Sequence, residues 1–262
     1  MAAQRSLADS LRWMAEGTKT FFGALAGLPD DRLDVPTALT GWTGRHLLAH
    51  VAANADALLN LAHWARTGEE RPMYASFERR DADIQAGALR SAAELRSWAA
   101  SSAELLGRRL SELDERQWSR PVRTAQGRTV PAAEVPWMRA REVMVHAVDL
   151  GAGVGFGDLP GDFLASLIDD ITAKRSGAGD GPALALTATA HDGTPTLPGA
   201  GGPAAVTGTR TGGPNAVTRT WTVAGTGDPV AVTGTLAELA AYLSGRAAGE
   251  VGRPAPALPR WL

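Results

Sequence analysis

Two apolar helical stretches in the first 150 residues each carry ionisable side chains within their hydrophobic pattern, and this limits how they can pack. His50 stands in RHLLAHVAANADALLNLA, and Glu142 and His146 stand about ninety residues later in REVMVHAVDL. Glu142 and His146 are four residues apart, so on a helix they share a face, one turn above the other. A solvated Glu–His hydrogen bond would need no partner, but Val135, Met138 and Val145 share that face and favour burial. A buried carboxylate without partners is costly, so the two stretches are expected to meet. A 2-His/1-Glu set inside a bundle leaves open positions on a divalent metal, as catalytic sites require. The chain has no cysteine. That excludes disulfides and thiolate zinc sites, and any thiol chemistry must take its sulfur from another molecule.

The two stretches belong to a set of four. Leu7, Leu11, Met14, Phe21, Phe22 and Leu25 give residues 5–27 helical spacing. Thr43 is an N-cap for a helix to about Thr67, with Leu47, Leu48, Val51, Ala55, Leu58, Leu59 and Ala62 as its stripe. Ser91 with Glu94 three residues on is a capping-box pattern opening a helix over about 91–113. A fourth covers about 132–150, entered through Pro131 and ended by Gly151. Four long helices predict an antiparallel bundle whose sites are built from facing core side chains. The connection over about 68–90 is read as a long, crossover-type link.

The composition shifts after Gly151. GAGVGFGDLPGD reads as a linker, followed by a helix over about 162–174 and β-prone runs at 183–190, 218–225 and 229–234. A helix over about 235–246 closes the pattern, and a Gly/Pro/Thr-rich loop at 191–217 reads as an insertion. The expected class is α+β, with a helical bundle over 1–152 and a small α/β domain over 161–262. A formal net charge of -2 argues against a nucleic-acid or membrane-surface partner. The absence of an uninterrupted apolar segment predicts a cytoplasmic protein, and a monomer is expected.

Other polar residues read less sharply. His46 and His50 have HxxxH spacing, but Leu47 stands where a zincin would have glutamate; His50 is the ligand candidate and His46 the structural one. Asp149, one turn beyond His146, is either a partner that fixes an imidazole tautomer or a helix-end turn residue. His63 reads as packing and His191 as solvated. The glycines 151, 153, 155 and 157 follow a helix rather than a strand and make a weak phosphate loop. Arg139, Arg141 and Asn54 lie near the candidate ligands with no assignable role.

The blocks GWTGRHLLAHVAANADALLNLAHWARTGEERPMY (41–74), TAQGRTVPAAEVPWMRAREVMVHAVDLGA (124–152), FGDLP (156–160), YLSGR (242–246) and PRWL (259–262) carry a resemblance over nearly the whole chain. In that order they resemble the mycothiol-dependent maleylpyruvate isomerases, whose N-terminal part is a DinB-like metal-binding four-helix bundle. The resemblance implies zinc on His50, Glu142 and His146, mycothiol as thiol cofactor, and a functional arginine at Arg246. Without it, Arg246 would read as a surface arginine favourable to a helix C-terminus. The implied reaction converts maleylpyruvate to fumarylpyruvate in gentisate-type aromatic degradation, by thiolate addition, bond rotation and elimination. The 191–217 loop is longer than the family's pattern. Two further readings stay open: a mycothiol S-transferase on the same scaffold, and a non-catalytic metal-binding regulator.

Overall fold

The computed structural model describes residues 5–189, 219–246 and 255–259. They fall into two compact units, one over Ser6–Val154 and the other from Gly155 onward. The chain order is α1 (Leu7–Ala26), α2 (Gly44–Thr67), α3 (Phe77–Ala88), α4 (Ala92–Ser111), the single turn α5 (Glu115–Trp118), β1 (Pro121–Arg123), β2 (Thr129–Pro131) and α6 (Val135–Asp149). The second unit follows with α7 (Gly161–Ala178), β3 (Pro182–Ala188), β4 (Arg219–Val223), β5 (Thr226–Gly234) and α8 (Leu236–Leu243). This is the α+β class expected from the sequence. No described helix is long and apolar enough to cross a membrane.

In the first unit α1, α2, α4 and α6 form the four-helix bundle, with α1 against α6 and α2 against both α4 and α6. One end of its core gathers Phe21, Leu25, Leu47, Leu48, Leu95, Ala99 and Val143; the other gathers Leu58, Leu61, Leu106, Leu110 and Val135. The starts of the helices follow local chemistry. Ser6 accepts from the Asp9 backbone N–H and opens α1, and the Ser91–Glu94 capping box opens α4. At α2 the Thr43 backbone N–H donates to Nδ1 of His46 at 3.3 Å, so His46 is a cap residue. Gly68 ends α2 in the left-handed conformation.

The long connection expected over about 68–90 contains α3. Only Ile84, Gly87 and Ala88 of α3 are buried, so its hydrophobic stripe is too sparse to announce a helix. It forms because the Ser76 hydroxyl caps it and Gly87 lets it settle on α2. A Cβ on Gly87 would meet the Ala49 Cβ at 2.9 Å. The β1–β2 hairpin is a second element absent from the sequence reading; it pairs Pro121 with Pro131 around a turn at Gly127.

In the second unit β3 is the central strand of a three-stranded sheet, antiparallel to β4 and parallel to β5. Leu186 stands opposite Trp221 on one side and Val232 on the other. Asp169 of α7 accepts from Arg219 and from the Trp221 indole of β4, and Arg175 of α7 donates to the Leu243 carbonyl at the end of α8. The expected loop 191–217 and His191 lie outside the described residues.

The position of α6 depends on Gly17 of α1, where an added Cβ would lie 2.7 Å from Val143 Cγ2 and 2.8 Å from Met144 Cγ. Gly17→Val should therefore cost about 1–3 kcal/mol from overpacking. Gly17→Ala should cost less, because about 1 kcal/mol of helix propensity is regained. Thermal denaturation of both variants measures this, and a Gly17→Val protein as stable as the wild type would refute close α1–α6 contact at this point.

Candidate metal centre

His50 enters from the second turn of α2, and Glu142 and His146 from successive turns of α6. Their ligand-type atoms all lie within 4.8 Å of one another. Nε2 of His50 is 2.8 Å from Glu142 Oε2, and Nε2 of His146 is 3.3 Å from the same oxygen. The imidazole rings stand nearly perpendicular, at 89°, with centroids 5.0 Å apart. Both histidine side chains are buried, while Glu142 keeps 18% of its side chain exposed, so the cluster reaches solvent along the carboxylate.

The facing helices are stapled beside the cluster. Arg139 of α6 is buried and donates from Nη1 to the Val51 carbonyl at 2.7 Å and to Asn54 Oδ1 at 3.0 Å, both on α2. Arg139 and Asn54 thus acquire a role that the sequence did not assign. Burial lowers the Arg139 guanidinium to about 10, with Glu142 as its largest opposing influence.

The two imidazoles have unlike partners on their second nitrogens. Nδ1 of His146 lies 2.8 Å from Oδ2 of buried Asp149, the arrangement that fixes the tautomer of a metal-ligating histidine. Nδ1 of His50 lies 3.3 Å from Nη2 of Arg80 on α3. The Trp42 ring packs on His50 with centroids 5.3 Å apart. Sequence reasoning missed Arg80 because its charge-rich helix reads as a solvated link. The cue for it was Ser76 followed by Glu78, an N-cap with acid in the first turn.

Burial alone would push the Glu142 carboxyl up, but hydrogen bonds from His146 and His50 outweigh it and hold the group well below the usual carboxylate range. Burial pulls His146 down, yet its bonds to Asp149 and Glu142 carry it above the ordinary histidine value. For His50 burial prevails over the attraction of Glu142 and the net direction is downward. Two imidazole nitrogens and one carboxylate oxygen converging on one point suit zinc and other divalent ions, and in four-coordination leave a position for an outside ligand.

The family model described as the mycothiol maleylpyruvate isomerase N-terminal domain matches residues 14–151, a span that contains all three cluster residues. Among solved structures, a mycothiol-dependent maleylpyruvate isomerase is 37% identical, with 98% of each chain covered and a TM-score of 0.83. The chain belongs to this family. A histidine-to-alanine variant of such an isomerase matches equally, at 37% identity and a TM-score of 0.83 over 98% of each chain. No functionally curated protein matches. The likeness to that solved isomerase over nearly the full length takes in the second unit, where Arg246 follows α8 and donates from Nη1 to the Ser244 carbonyl at 2.7 Å. Its backbone N–H bonds to Ala241, so Arg246 sits in the helix-end position.

These shifts set the pH dependence of the metal-free protein. The lowered Glu142 contributes stability above its unfolded value of about 4.3 and loses it as pH falls through the folded value. The raised His146 contributes below about 6.5 and loses its contribution as pH rises through its folded value. The lowered His50 acts oppositely, costing stability as pH falls through the ordinary histidine range. Chelated protein should therefore have its thermal midpoint maximum near pH 6.5, falling on both sides. His146→Gln should remove the alkaline fall; an unaltered alkaline limb would show that His146 does not hold an extra proton there.

Proposed function

We propose that this protein is a zinc-dependent isomerase that uses mycothiol to convert maleylpyruvate to fumarylpyruvate, with His50, Glu142 and His146 as the metal ligands. The observation that carries the reading is the convergence of that donor set within a chain matching an isomerase of this name over 98% of its length. A zinc-bound thiol is more readily deprotonated, and a thiolate supplies reversible addition to the conjugated cis double bond of the substrate.

The chain's own residues set up that chemistry. His50 and His146 present Nε2 toward one point, and Asp149 holds the His146 ring in the orientation that leaves its Nε2 free for a metal. Glu142 supplies the third donor and half the charge needed to balance a divalent ion. Arg139 keeps α2 and α6 in register, so that the donors on the two helices stay converged. Trp42 covers one side of His50 and limits water there. In the second unit Arg246 offers a guanidinium fork that matches a carboxylate of a dicarboxylic substrate.

Replacing any one of His50, Glu142 or His146 with alanine should abolish zinc retention and turnover together, measured as metal content and loss of maleylpyruvate absorbance. Activity should require added mycothiol and return it as free thiol; turnover without thiol would sink the mechanism, and thiol consumed into a thioether would favour an S-transferase. Arg246→Ala should keep its zinc and lose about tenfold or more in kcat/KM, as expected when a charged partner is removed. An unchanged rate in that variant would leave Arg246 as a helix-end residue.

A further inference from the structure

Beside the link between α2 and α3 the first unit has a cavity of about 210 Å3 that the metal ligands do not line. It is smaller than the roughly 300–1,000 Å3 of a pocket that encloses a whole ligand, and it suits one ring of a larger molecule. Its aromatic wall comes from three segments: Trp64 near the end of α2, Tyr74 in the link, and Phe77 at the start of α3. Phe77 is 55% exposed and so is open to a ligand. The Ser76 hydroxyl caps α3 without help from that ring.

The polar groups of the cavity narrow the choice of occupant. Glu70 and Arg123 both line it and pair with each other at 3.5 Å, each more than half exposed. Their charges cancel, so together they offer an acceptor beside a donor rather than a field that selects an ion. Thr124, also in the lining, accepts from the Arg128 backbone N–H at 3.2 Å, and its own hydroxyl proton has no acceptor among the described residues. Aromatic faces beside mixed donors and acceptors match a polyol ring, whose C–H face packs on an aromatic while its hydroxyls both donate and accept. A dicarboxylate fits less well, because Glu70 repels it and Arg123 is already paired.

The cavity lies next to the cluster. The Arg80 guanidinium sits over the Tyr74 ring at 5.9 Å, and its Nη2 lies 3.3 Å from Nδ1 of His50. A single side chain thus separates the imidazole from the cavity wall. We propose that this cavity is the subsite for the polyol end of the thiol cofactor, with Phe77 as a stacking platform and Glu70 and Arg123 as hydroxyl partners. The proposal rests on the isomerase reading: mycothiol carries its cysteine on a glucosamine–inositol pair, so a sulfur at the cluster brings two polyol rings close to it.

Phe77→Ala tests the subsite, with Phe77→Tyr as the conservative variant, because an exposed side chain can be removed without opening the bundle core. The probe is glucosaminyl inositol, the thiol-free part of mycothiol, titrated calorimetrically into the zinc-loaded protein. The wild type should bind it, Phe77→Ala should bind it about fivefold more weakly, and Phe77→Tyr should recover the affinity. No binding by the wild type, or equal binding by Phe77→Ala, would overturn the proposal. In turnover, Phe77→Ala should raise the KM for mycothiol about fivefold and the KM for maleylpyruvate by less. A rise confined to maleylpyruvate would give the cavity to the substrate and overturn the assignment. Failure of the isomerase reading is distinct: the wild type would leave maleylpyruvate unchanged in the presence of mycothiol, while the probe titration would still decide what the cavity holds.

Discussion

One carboxylate between two imidazoles governs the first unit. Glu142 accepts on a single oxygen from both His50 and His146, and removing a partner from a buried charge of this kind typically costs about 3–5 kcal/mol. The charge therefore demands that α2 and α6 face each other at fixed height. Other features of the bundle serve this demand. Arg139 links α6 to the Val51 carbonyl next to His50 and to the Asn54 side chain a turn beyond it on α2. Gly17 lets α1 close on the back of α6, and the His46 cap fixes where α2 begins. Hydrophobic burial supplies the bundle's cohesion, but the carboxylate sets its register.

The imidazoles are coupled to opposite charges, and this divides their work. Asp149 is almost fully buried and makes His146 the more basic donor. His50 has the Arg80 guanidinium beside Nδ1 and the Trp42 ring tilted against it, so it lacks the carboxylate acceptor that makes His146 more basic. A centre built from one strong and one weak imidazole holds a divalent ion less tightly than two aspartate-backed histidines would. It also leaves more of the ion's charge for an exogenous ligand.

Much of the first unit was legible because its signals are local. The four-residue spacing of Glu142 and His146, the apolar stripes and the Ser91–Glu94 capping box are all contained within single helices, and the α+β class and family followed from contiguous blocks. That His50 joins the pair across ninety-two residues was inferable only from the cost of leaving a carboxylate unpaired. Less was legible where structure depends on non-local support. Helix α3 carries Glu78, Arg79, Arg80, Asp81 and Asp83 in its first turns and is held by a cap and by close approach to α2, so its periodicity was faint and Arg80 went with it. The strand runs of the second unit were visible, but the order β4–β3–β5, with β3 parallel to β5, comes from pairings between distant segments that no local pattern encodes.

The absence of cysteine fits this electrostatic arrangement. Three neutral or singly charged donors offset only half the charge of a divalent ion, and the nearby guanidinium groups of Arg80 and Arg139 add to the excess. With a divalent ion on these donors, a ligand at an open position would therefore be favoured as an anion over its protonated form, the condition under which a thiol becomes a nucleophile near neutral pH. A cysteine in the chain with access to that position would bind there as thiolate and close the centre, turning a three-donor site into a structural four-donor one. A thiol from solution would instead bind reversibly, and the partial exposure of Glu142 leaves it a path to the cluster.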